Sequence, residues 1–296
     1  MVFNVLRVRR SQLVERVCLD FPAMQNLPVS MVYQGWDHAV IIFADRFVFR
    51  FPKSTEYRKK LRHEINFLKR FGTRFGIEVP QYTYLSRRGD YAGYAAIPGQ
   101  EFWPAQFARL TQRQKDAAAR SLAQFMKTLH AIPVATLRPY DFSHGLVSDY
   151  RSIKSRYLKK VRGHLSNTEQ VRVTQFLKEY EAVFLARKTR LALVHTDLTP
   201  DHIFFDRKKH KMTGVIDFSD MQINTPARDF HRLHVYGEKF VARVLEYYGK
   251  GKDPVFVKQV DLEQKLITLD RLIDVESGEP MNRATEWRNF RKVFGL

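Results

Sequence analysis

Residues 193–220 read LVHTDLTPDHIFFDRKKHKMTGVIDFSD, and this stretch decides the fold of the 296-residue chain. Two runs rich in apolar residues, 203–205 and 212–216, predict a pair of strands separated by a charged turn. Polar residues stand directly before the first strand and directly after the second. The side chains that we expect in these neighbouring loops are those of Asp197, His202 and Asp217.

The spacing of these residues is typical of phosphoryl transfer. The pattern H-x-D-x-x-x-x-H from His195 to His202, followed by I-D-F around Asp217, parallels the H-R-D-x-x-x-x-N loop and the D-F-G motif of protein kinases. That chemistry needs a carboxylate to accept the proton of a hydroxyl, and hard ligands for Mg²⁺. We therefore assign Asp197 as the catalytic base and His202 and Asp217 as the magnesium site. Mg²⁺ prefers oxygen, so direct ligation by His202 stays open.

The first third of the chain offers cations and one carboxylate. A hairpin is predicted over 40–51, and Ser54 is a suitable N-cap for a helix that reaches Phe71. Glu64 lies at the edge of the apolar stripe of this helix, where a carboxylate needs a cationic partner, and the preceding strand offers Arg50 and Lys53. A solvated Glu64 beside Arg62 or Lys60 is an equally good interpretation.

The order of elements predicts two lobes. Further strands are expected at 82–85 and 91–97, whereas the later part of the chain is mostly helical. Capping boxes begin two of its helices, and four more are expected after Asp220, at 228–237, 238–248, 254–274 and 282–294. The predicted domains are an N-terminal nucleotide-binding lobe (1–97), a hinge (98–101) and a helical catalytic and substrate lobe (102–296).

With these motifs, the sequence resembles the aminoglycoside phosphotransferase family, and most closely its 2″-phosphotransferase branch, which also has His at the position of His202. The resemblance implies an α+β, bilobal, protein-kinase-like fold with a small β-rich N-lobe and a larger helical C-lobe. It implies ATP or GTP as phosphate donor, Mg²⁺ as cofactor and a small-molecule hydroxyl as acceptor. Asp197 matches the catalytic aspartate of the family, and His202 and Asp217 match its magnesium positions.

Other matched positions concern the nucleotide. F-R-F-P-K at 49–53 matches the third-strand signature, which places Arg50 and Lys53 on the phosphates, and Glu64 matches the carboxylate paired with the strand cation. Ala96 and Ile97, in the matched hinge, are expected to bind the base through backbone groups. Asp229 matches a structural aspartate that braces the catalytic loop. The turn 33–38 is expected to face the phosphates because of its position between strands.

Two departures limit the resemblance. Arg50 stands where protein kinases and the 2″ enzymes have Lys, and the guanidinium fork differs in geometry from an ammonium group. Residues 231–236 (HRLHVY) are neutral to basic, whereas resistance enzymes of the 2″ branch are acidic there. A protein of net charge +19 would repel a polycationic aminoglycoside.

Composition limits which other classes of protein the chain could belong to. The content of 44% apolar and 27% charged residues is typical of a globular chain, and no apolar run approaches the length of a membrane span. Cys18 is the single cysteine, which excludes an intramolecular disulfide and favours a reducing compartment, so we expect a cytoplasmic protein. The basic surface is expected to attract nucleic acid or an anionic membrane surface non-specifically.

Three hypotheses remain from the sequence. The first is a kinase-fold phosphotransferase that acts on a small-molecule hydroxyl. The second, on the same fold, is a kinase of another acceptor: a macrolide, a metabolite alcohol or a protein serine. The third is a basic protein that uses the fold for nucleic-acid or anionic-surface contact, which the cations of 151–162 motivate.

Overall fold

The computed structural model describes residues 10–32, 37–186, 189–209 and 211–296. The α-helices are α1 (Arg10–Asp20), α2 (Thr55–Phe71), α3 (Pro104–Ala108), α4 (Gln112–His130), α5 (Gly145–Lys160), α6 (Asn167–Tyr180), α7 (Glu238–Tyr248), α8 (Pro254–Glu276) and α9 (Arg283–Phe294). The strands are β1 (Val29–Val32), β2 (His38–Phe43), β3 (Phe47–Pro52), β4 (Tyr84–Leu85), β5 (Ala92–Ala95), β6 (Gln100–Glu101), β7 (Ala192–Val194), β8 (Ile203–Asp206), β9 (Lys211–Val215) and β10 (Gln222–Asn224). Short 3₁₀ segments cover Pro22–Met24, Gly72–Arg74, Val134–Tyr140, Arg162–His164 and Pro226–Tyr236, and Glu181–Leu185 forms a π turn.

The chain forms two compact units. The first contains Met1–Phe102 and Asp201–Asp220, and the second contains Trp103–Pro200 and Met221–Leu296. The predicted domain bounds assigned 201–220 to the helical lobe, and these bounds stay a prediction. The backbone ties 201–220 to the first unit, because Glu78 N–H donates to Thr213 O (2.8 Å) and the N–H of Val215 donates to Glu78 O (3.0 Å).

The first unit is built on an antiparallel sheet in the order β1-β2-β3-β5-β4. The predicted hairpin is confirmed, with Val40 opposite Arg50 across β2 and β3. Apolar side chains of α1 and of β2, β3 and Tyr91 form its core. The strands expected at 82–85 and 91–97 are shorter, at Tyr84–Leu85 and Ala92–Ala95.

The sequence of α2 explains why Glu64 is buried. The Ser54 side chain accepts a hydrogen bond from Tyr57 N–H (3.2 Å) and begins the helix as predicted. Leu61, Phe67, Leu68 and Phe71 then bury one face of the helix, and Glu64 lies on that face. The helix therefore carries a carboxylate into an apolar environment.

In the second unit, α5, α6, α8 and α9 pack around one apolar core. Both predicted capping boxes form, Thr111 with Gln114 and Ser166 with Glu169. The helix predicted at 228–237 is instead the 3₁₀ segment Pro226–Tyr236. Most residues of this segment are buried. Its geometry is therefore set by packing on several sides, and not by one apolar stripe as in an amphipathic helix.

Three short strand pairs hold the loops of interest. β6, β8 and β9 form one antiparallel sheet in the first unit, and β7 pairs with β10 in the second. Thr196, just after β7, and Asp217, just after β9, both have positive φ angles, of 71° and 62°. Such angles are uncommon for residues other than glycine and concentrate at functional loops. No helix among the described residues is long and apolar enough to cross a lipid bilayer.

Candidate active site

A buried arginine is the centre of the polar network in the first unit. Arg50 is only 5% exposed. Its Nη1 donates to both carboxylate oxygens of Glu64 (3.0 and 2.9 Å) and to the Tyr82 hydroxyl (2.9 Å). Its Nη2 donates to Asp217 Oδ1 (2.9 Å) and lies 3.3 Å from His38 Nδ1. One guanidinium thus bridges two carboxylates that stand 153 positions apart in the sequence, at 64 and 217.

The charges of this network follow from burial and from Arg50. Burial raises the pKa of the Glu64 carboxyl, although the Arg50 charge opposes the rise. Burial and the same guanidinium lower the pKa of His38 to about 3, so this ring is neutral at pH 7. Burial opposes the charge of Asp217, but Arg50 and then His202 hold the pKa of that carboxyl far below its usual range. Two carboxylates therefore share the buried guanidinium of Arg50, and His202 lies beside the second of them.

The predicted magnesium residues lie together. His202 Nε2 is 3.7 Å from Asp217 Oδ2 and 3.8 Å from Asp201 Oδ2. The other oxygen of Asp217, Oδ1, accepts hydrogen bonds from Arg50 Nη2 (2.9 Å) and Ser219 Oγ (2.6 Å). No group of three His, Cys, Asp or Glu side chains that could hold a metal occurs among the described residues. The residues present fit Mg²⁺ bound by one carboxylate and the phosphates of its substrate, as is usual for this ion.

In the second unit, Asp229 holds the loop that carries Asp197. Its Oδ1 accepts a hydrogen bond from Thr196 N–H (2.7 Å), and its Oδ2 accepts one from the N–H of His195 (3.0 Å). His130 Nε2 lies 2.9 Å from the same Oδ2. Burial opposes the charge of Asp229, but His130 and His195 lower the pKa of its carboxyl. These contacts give Asp229 the bracing position that the resemblance implied.

The loop presents Asp197 beside a cation. His195 is fully buried, and its Nδ1 accepts a hydrogen bond from Asp197 N–H (3.3 Å), so this histidine supports the loop. The Asp197 side chain is 26% exposed, and its Oδ1 lies 3.1 Å from Arg232 Nη2. The positive φ of Thr196 turns the chain directly before Asp197. A strained, hydrogen-bonded loop thus offers a partly exposed carboxylate.

The residues expected to contact the nucleotide differ in whether their polar groups are already hydrogen-bonded within the protein. Lys53 follows β3 and is half-buried. The N–H of Ala96 donates to Arg46 O (2.7 Å), so this donor belongs to the sheet and is not open to a base. Ile97 is buried, and among the described residues no hydrogen bond occupies its N–H. Of the phosphate-facing turn expected at 33–38, residues 33–36 lie outside the described part of the chain.

The sequence did not predict that Tyr82, His130 and Arg232 neighbour the candidate site residues, and it placed His38 only in the expected phosphate-facing turn, without its contact to Arg50. Because β2 pairs with β3, His38 could have been found from the hairpin register, which sets it opposite Pro52. Tyr82, His130 and Arg232 reach their partners from elements distant in sequence, and no local pattern marks them.

A cleft of about 650 Å³ in the second unit adjoins this loop, with Thr199, Pro200 and Arg232 among its lining residues. Its acidic residues are all engaged. Glu286 receives two hydrogen bonds from Arg271 (2.6 and 3.1 Å). Asp261 pairs with Lys265 (2.9 Å) and Glu238 with His234 (2.8 Å). The carboxylates that line the cleft therefore already have basic partners within the protein.

The sequence model of the phosphotransferase enzyme family (APH) matches residues 31–259, which is most of the chain. The chain belongs to this family. The predicted resemblance is thus confirmed, and with it the assignment of the protein as a phosphotransferase.

Individual relatives of this phosphotransferase are more distant. An uncharacterized protein of Bacillus subtilis (strain 168), YcbJ, is 37% identical over 68 residues, which are 23% of this chain and 22% of that protein. An aminoglycoside 3'-phosphotransferase of Streptomyces ribosidificus is 25% identical over 190 residues, 60% of this chain and 69% of that protein. The alignments thus span about a fifth of the first relative and two thirds of the second.

A solved structure extends the likeness over the whole fold. The GDP complex of wild-type aminoglycoside 2'-phosphotransferase-IIIa superposes with a TM-score of 0.87 at 23% identity, covering 97% of this chain and 99% of that one. The predicted α+β, bilobal, protein-kinase-like fold is confirmed.

Proposed function

We propose that this phosphotransferase moves the γ-phosphate of ATP or GTP to a hydroxyl of a small molecule. The observation that carries the proposal is the bridge that Arg50 makes between Glu64 and Asp217. A cation held by a helix carboxylate next to a metal-binding aspartate is the arrangement that kinase-type phosphoryl transfer requires. The GDP complex of the solved relative supports a nucleotide donor.

Asp197 is the proposed base. The acceptor oxygen forms a bond to the γ-phosphorus as the bond from phosphorus to the β–γ bridging oxygen breaks, and a nucleoside diphosphate leaves. The proton of the hydroxyl passes to the Asp197 carboxylate. Asp229 and His195 fix the loop, so that this carboxylate is in place before the acceptor binds.

The donor is proposed to bind through residues of the first unit. Asp217 and His202 would hold Mg²⁺, which offsets the negative charge of the phosphates when it is bound. Arg50 and Lys53 are the proposed phosphate contacts. Glu64 is a positioning residue, because it accepts hydrogen bonds from Arg50 Nη1 and so leaves Arg50 Nη2 to donate to Asp217.

Backbone groups are the proposed contacts for the base. Since Ala96 N–H is bonded to Arg46 O, we propose that either the Ala96 carbonyl or the N–H of Ile97 contacts the base. These two groups belong to one trans peptide bond and point in opposite directions, so only one of them can pair with a given base edge.

The acceptor is proposed to enter the 650 Å³ cleft beside Arg232. The relatives named above include aminoglycoside kinases, and an aminoglycoside brings several ammonium groups that require carboxylate partners. In this cleft Glu286 and Asp261 already pair with cations of the protein. We therefore favour an acceptor that is not a polycation, such as a macrolide or a metabolite alcohol, over an aminoglycoside.

The test replaces the proposed base and measures donor and acceptor separately. Asp197→Asn should lower kcat by about 10²–10⁴ while nucleotide affinity stays within about twofold. Asp206→Asn, which changes another carboxylate to an amide, is the matched control and should retain turnover. The assay is release of nucleoside diphosphate with Mg²⁺, ATP or GTP, and panels of aminoglycoside, macrolide and neutral sugar alcohol acceptors. Turnover of the Asp197 variant at the wild-type rate would refute the proposal.

A further inference from the structure

We propose that a groove on α9 binds the phosphate backbone of a nucleic-acid strand. The groove has a volume of about 730 Å³ and lies within the second unit. We call this site the α9 groove, and its lining includes His164, Arg283, Trp287, Arg288, Arg291 and Lys292. This site shares no residue with the proposed donor or base positions, and it shares Lys292 with the lining of the proposed acceptor cleft.

The charge of the lining is of one sign. Four of its residues are arginine or lysine, and none is acidic. Two carboxylates outside the lining hold three of its residues by hydrogen bonds. Glu276 receives hydrogen bonds from Arg283 Nε (2.6 Å) and Trp287 Nε1 (2.7 Å), and Glu169 receives one from Arg291 Nε (3.0 Å). Both carboxylates are at most 10% exposed, so the cations and not the acids face the solvent.

These contacts fix the two guanidinium groups before any ligand arrives. Arg283 and Arg291 stand four residues before and four residues after Trp287 on α9, with their guanidinium carbons 5.6 and 5.3 Å from the centre of its ring. Arg291 uses Nε on Glu169, whereas Arg283 uses both Nε and Nη2 on Glu276 (2.6 and 3.3 Å), and each guanidinium has further N–H groups to offer. Preorganised arginine forks suit phosphate oxygens, and less entropy is lost when they bind.

Arg288 and Lys292 complete the groove. Both side chains are exposed, and within the described part of the chain neither makes an ion pair or a hydrogen bond with another side chain. They lie four residues apart, on one face of α9. Two cations held by carboxylates and two without such partners give a row of positive charge along about three turns of helix.

A chain of phosphates fits this surface better than a single anion or a membrane. Positive charge continues beyond the groove, because the exposed Lys159, Lys160 and Arg162 directly precede His164. A groove is concave, whereas a lipid bilayer is flat and cannot fill it. The Trp287 N–H is engaged with Glu276 and arginines lie over its ring, so bases are not expected to stack there. Binding should therefore be independent of base sequence and sensitive to salt.

The experiment uses the full chain and a fluorescent single-stranded RNA of about 20 nucleotides, a length that exceeds typical single-strand site sizes. Anisotropy gives the affinity between roughly 50 and 300 mM salt, the range over which phosphate contacts weaken strongly. The groove variant is Arg288→Gln with Lys292→Gln. The control is Arg62→Gln with Lys69→Gln, which removes the same charge from exposed positions of α2.

The groove variant should bind about 25-fold more weakly at 0.1 M salt, and its plot of log K against log salt should be shallower by about 1.4, since each phosphate contact contributes about 0.7 on single strands. The control should change affinity less than about twofold. Equal losses in both variants, or no binding of the wild-type protein at low salt, would overturn the proposal. Loss of binding to phosphatidylserine vesicles with RNA binding intact would assign the groove to a membrane and also overturn it. Each single substitution should give about half of the change in slope, which keeps the test valid if the double variant is unstable.

Discussion

Replacing Glu64 with glutamine tests the buried ion pair directly. Glu64 is 1% exposed and accepts hydrogen bonds from Arg50 on both oxygens, from Tyr82 on Oε1 (2.9 Å) and from the N–H of Phe218 (3.4 Å). Glutamine keeps the shape and one acceptor oxygen, but its amide nitrogen cannot accept from Arg50. The substitution therefore removes one hydrogen bond and the charge that balances a buried guanidinium.

The expected loss is large for an isosteric change. Removing one partner of a buried ion pair costs about 3–5 kcal/mol, and Arg50 retains Asp217, so we expect the low end, about 3 kcal/mol. With an unfolding entropy near 2.1 cal/mol/K per residue, that loss lowers the Tm of a chain of this length by about 5 °C. Arg50 should also turn more fully to Asp217, which weakens the proposed Mg²⁺ site. The KM for Mg²⁺-nucleotide should therefore rise together with the loss of stability.

A double-mutant cycle isolates the pair. Glu64→Gln, Arg50→Met and the double variant are compared by urea unfolding at pH 7, with Tyr82→Phe as a control that removes one hydrogen bond at the same carboxylate. The double variant should be more stable than the sum of the single losses predicts, by at least about 2 kcal/mol, because each single variant leaves the other member of the Arg50–Glu64 pair without its partner and the double variant does not. The loss of the Arg50 contact to Asp217 is common to Arg50→Met and the double variant, so it cancels in the cycle. A coupling energy below about 0.5 kcal/mol would show that the 2.9–3.0 Å contacts between Arg50 and Glu64 carry little energy, and would refute the reasoning.

Three further predictions concern other parts of the molecule. Gly214→Ala should destabilise the protein by about 1–3 kcal/mol, because a Cβ at this position would lie 2.4 Å from the backbone oxygen of Glu78. Asp229→Asn should lower kcat at least tenfold and stability by about 2 kcal/mol, since its amide group cannot accept both loop N–H bonds and the His130 contact. The free energy of unfolding should decrease as the pH is lowered from 6.5, by about 1.4 kcal/mol per pH unit. The pKa of His38 is about 3 in the folded chain and near 6.5 in the unfolded chain, so the unfolded chain takes up the proton first.

Each of these predictions has its own check. Gly163→Ala is the control for the glycine, since nothing lies within 4 Å of a Cβ there, and equal thermal midpoints for the two variants would contradict the clash. For Asp229, single-turnover rates at saturating nucleotide separate a misplaced loop from weak donor binding, and an unchanged rate would argue against the brace. For the histidine, His38→Gln should flatten the decline of urea midpoints between pH 6.5 and 4, and an unchanged profile would assign the decline to other groups.

Much of the fold was predictable because its signals are local. The Ser54 cap, both capping boxes and the hairpin all depend on residues within a few positions of one another, and they form as predicted. The pairing of β6 with β8 could not be predicted in this way. Each of these strands is short, and its partner lies about 100 positions away in the chain. The 3₁₀ geometry of Pro226–Tyr236 likewise depends on what packs around it.

For the candidate site, the sequence proposed the residues and the pairing of Glu64 with a cation of the preceding strand, but not the other pairings. The spacing of Asp197, His202 and Asp217 was visible in one stretch, and Arg50 and Glu64 were found from the strand and helix that carry them. That Arg50 bonds Asp217 as well as Glu64, and that Arg232 lies at Asp197, required the folded chain. A contact between side chains that are far apart in the sequence produces no periodic pattern from which it could be predicted.

The sequence by itself determined the order of acidic loops and strands in residues 193–220, and through it the family and the class of reaction. Hydrogen-bonding and metal-binding groups at fixed spacing are a local property, which a linear chain encodes fully. The tertiary structure decided how charge is distributed around those groups: which carboxylates are neutralised inside the protein, and which cations along α9 remain directed at solvent. Coulomb interactions depend on distance and burial, and both are set only when the chain folds.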